Sequence, residues 1–232
     1  MSGYPILILL LALQAPQPDA LYRAALANLQ AKRYAEAEAS FRELYRLEPD
    51  NTRGLAGIAQ VYVAQAKTSE ALDLLRTESG KHPKSAGIHI TIGDISSAAR
   101  QYDAALAEYQ TALGLLDVVS AETAVVYLHI GEIYRVKGDS KASVEALQKA
   151  AELAPAEPNI LTNLAMGLDN GGDKKGAMAN YRAALAANAN NPVAQNNLAF
   201  LIADTGGDYY EALRLARAAK DLAPQSLEVS DT

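Results

Sequence analysis

Proline ends four apolar runs of this chain in nearly the same setting, at Pro49, Pro83, Pro155 and Pro224, as in LYRLEP, AAELAP and AKDLAP. Pro83 follows Pro49 by 34 residues, and Pro155 follows Pro83 by 72, two periods of 34 plus four. Proline lacks an amide hydrogen and its ring clashes with the preceding turn, so each of these positions marks the end of a helix. A fixed period of this size is the mark of a stacked repeat, in which one copy cannot bury its apolar face without its neighbours.

Aligned on that period, the chain divides into six units starting near Pro18, Thr52, Ala86, Ala124, Pro158 and Pro192. The stretch from Ala124 to Pro155 reads as two amphipathic helices. Tyr127, Ile130, Gly131 and Tyr134 share one face of the first helix, Leu147, Ala150 and Leu153 share one face of the second, and Lys137-Gly138-Asp139 makes the turn. A small residue in each first helix, Ala25, Ala59, Gly93, Gly131, Ala165 or Ala199, is answered about twelve residues later by Ala37, Ala71, Ala105, Ser143, Ala177 or Ala212. Antiparallel helices approach closely only where neither carries a large side chain, and a wrong insertion there costs ~1–3 kcal/mol by overpacking. Phe41, Leu75, Tyr109, Leu147 and Tyr181 fill a recurrent large slot four residues further on, and Ala216 breaks that series. Of the turns, the last three contain glycine (Gly138, Gly172, Gly206), which permits left-handed backbone at a helix end. The turns at Lys32-Arg33, Ala66-Lys67 and Arg100-Gln101 lack it and are expected to be tighter or more strained.

This pattern resembles the tetratricopeptide repeat family over almost the whole chain. The family's motif has small residues where Gly131 and Ser143 stand, a large one at Tyr134 and proline at Pro155. The resemblance implies an all-α fold, a right-handed superhelical solenoid of antiparallel helix hairpins. Its expected units are residues 18–51, 52–85, 86–123, 124–157, 158–191 and 192–226, after an apolar segment 1–17 and before a tail 227–232 that is either natural or the start of a truncated seventh unit. The third unit departs from the motif, with Ser96 in a large slot and Asp117 in place of proline. The four extra residues near Val118 to Glu122 are expected to add one turn to its second helix.

Composition narrows the function classes. A net charge of −6 with scattered basic residues offers no basic stripe for nucleic acid. The absence of cysteine removes disulfides, thiolate catalysis and cysteine zinc sites. His82, His89 and His129 fall in different units without metal-ligand spacing, and His89, in the register of Tyr127 and Leu161, is expected to pack. Carboxylates such as Glu36 and Glu38 do not face each other on a helix. No catalytic, metal or cofactor residues are expected. The apolar run Pro5 to Leu13 is too short for the roughly 20 residues a membrane helix needs. It reads either as a secretory signal ending near Ala15 or as a cap over the first repeat through Ile6, Leu9, Leu10 and Leu13. The signal reading favours a periplasmic or secreted location over the cytoplasm.

Repeat arrays offer an extended concave surface. The resemblance implies that the first helix of each unit lines it, with Tyr22, Arg23 and Leu26, then Arg53, Gly57 and Gln60, then Thr91 and Asp94, then His129, Glu132 and Arg135, then Asn163, Met166 and Asp169, then Asn196, Asn197 and Phe200. Asn163 and Asn197 hold the same place in successive Asn-Leu-Ala triplets, and an amide both donates and accepts, as pairing with a peptide backbone requires. The Lys, Asn, Asn, Lys, Arg set that clamps a C-terminal carboxylate in some members is absent. Charge along the groove runs from Arg23 and Arg53 to Asp94, Glu132, Asp169 and Asp204.

The expected role is a non-enzymatic protein-interaction scaffold, bacterial in character, that binds an extended peptide or partner helix, as a monomer or weak homo-oligomer and without a small-molecule cofactor. A place in cell-envelope assembly accords with the signal reading. The alternative is a substrate-recruiting or regulatory arm of a larger enzyme truncated after Thr232.

Overall fold

The computed structural model describes residues 17–223; the apolar run Pro5 to Leu13, Pro224 and the tail 227–232 lie outside the described residues. Among the described residues the secondary structure is α-helical, in the order α1 (Pro18–Gln30), α2 (Tyr34–Leu47), α3 (Arg53–Ala64), α4 (Thr68–Lys81), α5 (Ala86–Ala98), α6 (Tyr102–Leu115), α7 (Ala121–Val136), α8 (Ser140–Leu153), α9 (Pro158–Asn170), α10 (Lys174–Ala187), α11 (Pro192–Asp204) and α12 (Tyr209–Leu222). Consecutive helices pair as hairpins, and the fold is that of a tetratricopeptide repeat protein. The chain forms two compact units, one ending at Ile88 and the other starting at His89.

Every hairpin turns in the same way. In the first, Lys32 N–H donates to the Leu29 carbonyl and Arg33 N–H to the Asn28 carbonyl; in the fourth, Gly138 N–H donates to Arg135 and Asp139 N–H to Tyr134. These are the paired bonds that close a helix through one left-handed residue. That residue is glycine at Gly138, Gly172 and Gly206, but Lys32 (φ 57°), Ala66 (φ 61°) and Arg100 (φ 59°) adopt the same conformation with a side chain in place. The glycine-free turns are therefore not tighter. They hold the same geometry at higher strain, since a Cβ in this region crowds the backbone.

The paired small residues meet at the hairpin crossings and are buried. Ser143 Oγ donates to the Gly131 carbonyl at 2.8 Å, so the only hydroxyl in the series is satisfied without extra space. A Cβ at Gly131 would come within 2.5 Å of Leu147 Cγ, and one at Gly93 within 2.5 Å of Tyr109 Cε1. Glycine at this crossing lets the large-slot side chain of the second helix lie against the first.

The expected extra turn on α6 is not there. α6 has 14 residues, the same length as α4, α8 and α10. The insertion instead forms an extended connection, with Val118 and Val119 largely exposed, and lengthens α7 to 16 residues. Ser120 decides this. Its hydroxyl accepts from Thr123 N–H and caps α7, while Thr123 Oγ1 donates to the Asp117 carbonyl at 2.7 Å, so polar groups stop one helix and start the next. Side-chain caps also start α8 to α12, at Asp139, Glu157, Asp173, Asn191 and Asp208, whereas α1 to α4 have none.

Candidate functional site

In the unit from His89 onward, residues on each first helix recur every three or four positions and share a face. On α7 these are Val125, His129, Glu132 and Val136; on α9, Asn159, Asn163 and Met166; on α11, Val193, Asn197, Phe200 and Asp204. Two tyrosines of the large slot reach this face from the second helices. The ring of Tyr109 on α6 is buried, and its hydroxyl donates to Asp94 Oδ1 on α5 at 2.7 Å. His129 stacks on the same ring, with centroids 5.7 Å apart and planes inclined by 13°. Glu132 lies 3.4 Å from His129 Nδ1, and Asp94 lies 3.9 Å from Nε2. Hydrogen bonding to Glu132, opposed by burial and aided by the Asp94 charge, raises the imidazole pKa above its ordinary value. Burial, reinforced by Asp94, pushes the Tyr109 phenol well above its ordinary range.

Tyr181 on α10 has the corresponding place two hairpins further on. Asn197 Nδ2–H donates to its hydroxyl at 3.1 Å. Burial pushes the phenol up to about 12 against the effect of that bond, while Asp169 raises it and Arg135 lowers it, which places both charges around the same hydroxyl. Arg135 Nε is buried without a hydrogen-bond partner among the described residues. Asn163 behaves otherwise, because its Nδ2–H turns back to the Asn159 carbonyl at 3.0 Å. Asn196 departs from the expectation of a groove position. It is 6% exposed and, like its counterpart Thr162, sits one residue off the exposed face and is buried.

In the unit ending at Ile88, Arg23 and Gln60 are exposed, but Arg53 is engaged. Its guanidinium pairs with Asp19 and Glu48 at 2.7 and 2.9 Å and lies 5.5 Å from the centroid of Tyr22, whose ring meets Phe41 edge-on. Gly57 is buried, and a Cβ there would fall 2.2 Å from the Phe41 ring, so its place is in the packing and not on an open surface. Several charges assigned to the groove are thus answered within the chain. Asp204 pairs with Lys174, as Asp103 does with Lys137.

His89 packs as expected, with Nδ1 2.7 Å from Glu108 Oε2. No three His, Asp or Glu side chains among the described residues converge as a metal site would need, and no described helix is long and apolar enough to cross a membrane. Sequence reasoning missed the Tyr109 and Tyr181 hydroxyls. The signal available was that only these two members of the large-slot series end in a polar atom.

Residues 28–89 and 124–157 match tetratricopeptide repeat families. No curated protein sequence matches the chain. Among solved structures it is similar to the pilF protein of Pseudomonas aeruginosa, at 19% identity and a TM-score of 0.73, with 92% of this chain and 95% of that one covered. It is similar also to a chain of the APC/C hetero-tetramer Cut9-Hcn1, at 13% identity and a TM-score of 0.71, covering 93% of this chain and 42% of that one. YrrB, described as a tetratricopeptide repeat protein with an unusual peptide-binding site, shares 17% identity at a TM-score of 0.60, covering 82% and 96%. Residues 28–89 and 124–157 are thus tetratricopeptide repeats by sequence, and the uniform hairpins and these likenesses show the tetratricopeptide repeat fold.

Proposed function

We propose that this chain is a non-enzymatic scaffold whose first-helix face, on α7, α9 and α11 with Asp94 of α5, binds an extended segment of a protein partner. The observation that carries the reading is the placement of exposed apolar side chains. Val125, Val136, Val193 and Phe200, the last 54% exposed, stand on this face among His129, Glu132, Asn163 and Asn197. Apolar anchors interleaved with groups that donate and accept are what an extended peptide needs for affinity and register. Tetratricopeptide repeats generally mediate protein or peptide binding, and YrrB, similar in fold, is described by its peptide-binding site. We place the partner in cell-envelope assembly on the strength of the apolar run Pro5 to Leu13 read as a secretory signal. Peptides selected from a displayed library against the full chain test the face. Asn163→Ala with Asn197→Ala weakens them by about tenfold or more at unchanged helix content, in keeping with two lost hydrogen-bonding amides; equal affinity in the double variant removes this reading.

A further inference from the structure

One row of the first-helix face changes character along its length. Asp94, Glu132, Met166 and Phe200 each stand one residue after the small residue of the hairpin crossing, at the same register of α5, α7, α9 and α11. The first two are carboxylates whose side chains are 48% and 38% exposed, the third is partly buried, and the last leaves more than half of its surface in water. No lysine or arginine of the described residues pairs with Asp94 or Glu132, and the one basic group beside them is His129. Asp204, on the same face, is by contrast paired with Lys174. Arg135, one turn beyond Glu132, lies toward Tyr181 of the fifth hairpin.

We propose that the partner's extended segment seats a lysine or arginine at Asp94 and Glu132 and an aromatic or long aliphatic side chain at Met166 and Phe200. This rests on the reading of the first-helix face as a peptide-binding surface. Neighbouring first helices pack about 8–10 Å apart and an extended chain advances about 3.3 Å per residue, so the two anchors stand about five or six residues apart. An acidic segment meets carboxylates of its own sign, and a wholly polar one leaves the Phe200 ring in water. The same geometry makes a proton on His129 a competitor of the basic anchor. Asp94 of α5, the Tyr109 hydroxyl of α6 and Glu132 of α7 itself are the charged and titratable groups that face the imidazole. The imidazolium offsets both carboxylates and repels an incoming cation, whereas the neutral ring leaves their charge uncompensated. Affinity for a basic segment therefore falls as pH drops through the raised His129 pKa.

Peptides selected from a displayed random library against the full chain, then synthesised with blocked ends and a fluorescent label, test the assignment by anisotropy. The selected sequences are expected to pair a lysine or arginine with an aromatic residue, leucine or methionine about five or six positions away. Glu132→Gln is expected to weaken them about threefold and Phe200→Ala about tenfold, with helix content retained. Glu145→Gln with Glu152→Gln removes charge from the exposed side of the second helix α8, and is expected to leave affinity unchanged. Equal weakening in that control reduces the effect to the net charge of −6 and overturns the proposal. Lowering the pH is expected to weaken the peptides in the native protein but not in His129→Gln; the same pH dependence in both overturns the competition. Peptides that lose affinity in the Asn163→Ala with Asn197→Ala variant but carry no basic residue overturn this proposal and leave the binding face standing. Failure to recover any peptide that the double variant weakens overturns both.

Discussion

His129 rests flat on Tyr109, whose hydroxyl is bound to Asp94, the acid on the far side of the same imidazole. A residue of the first-helix face is thereby joined to the core of the preceding hairpin, and its protonation becomes a property of the fold. The folded state raises the His129 pKa from an ordinary value near 6.5. The stabilisation is therefore fully present below about 6.5, where the unfolded chain is also protonated, and is lost as pH rises through the raised value. Urea unfolding of the protein and of His129→Gln across this range should show the gap between them closing as pH rises. In an NMR titration Glu132→Gln is expected to lower the His129 pKa more than Asp94→Asn, because the hydrogen bond to Glu132 is the larger cause.

The two large-slot tyrosines should differ in what their hydroxyls contribute. Tyr109→Phe removes a bond to a carboxylate, and is expected to cost about 1.5–2 kcal/mol; Tyr181→Phe removes a neutral bond from Asn197 and should cost about 1 kcal/mol. Urea denaturation of each variant measures both. Asn197 in the second variant should also show faster side-chain amide motion.

Gly131→Ala sets two effects against each other. Alanine favours a helix interior by roughly 0.5–1 kcal/mol over glycine, while overpacking costs ~1–3 kcal/mol. The new Cβ meets Leu147 Cγ at 2.5 Å, so the clash is expected to win and the variant to be less stable. Adding Leu147→Ala should cost less in that variant than in the native protein, a coupling visible in a double-mutant cycle.

Strain and capping should divide the molecule by local stability. Ala66→Gly relieves a side chain held at φ 61°, and is expected to stabilise by about 0.5–1 kcal/mol after the added freedom of the unfolded chain is counted. Helices α1 to α4 also lack side-chain caps, each worth about 1 kcal/mol where present. Hydrogen exchange is expected to reach their amides sooner than those of α8 to α11; equal protection would show that burial outweighs both effects.

Much of the fold was legible because sterics leave marks in sequence. A close helix crossing excludes large residues, so the pairs from Ala25 with Ala37 to Ala199 with Ala212 stand out without any structure. The insertion was misplaced because its outcome depends on Ser120 and Thr123, whose hydroxyls bond to backbone groups that no periodicity displays. The candidate site was legible only as a row of positions. Asn163 and Asn197 look alike in sequence yet bond differently, since the large slot of the hairpin before Asn197 holds Tyr181 and that before Asn163 holds Leu147, which has no hydroxyl to meet an amide. Asn196 was misread because adjacent helix positions differ by about 100° of rotation, enough to pass from an exposed face to a buried one.

The uneven distribution of helix caps bears on synthesis. Translation delivers α1 to α4 before the later helices; all four lack side-chain caps, as α6 does, and their hairpin turns hold Lys32 and Ala66 in left-handed backbone. The better-capped helices leave the ribosome after them. Durable structure is therefore expected to form first in the hairpins from α7 onward, leaving α1 to α4 open to chaperones or export machinery until those hairpins have been made.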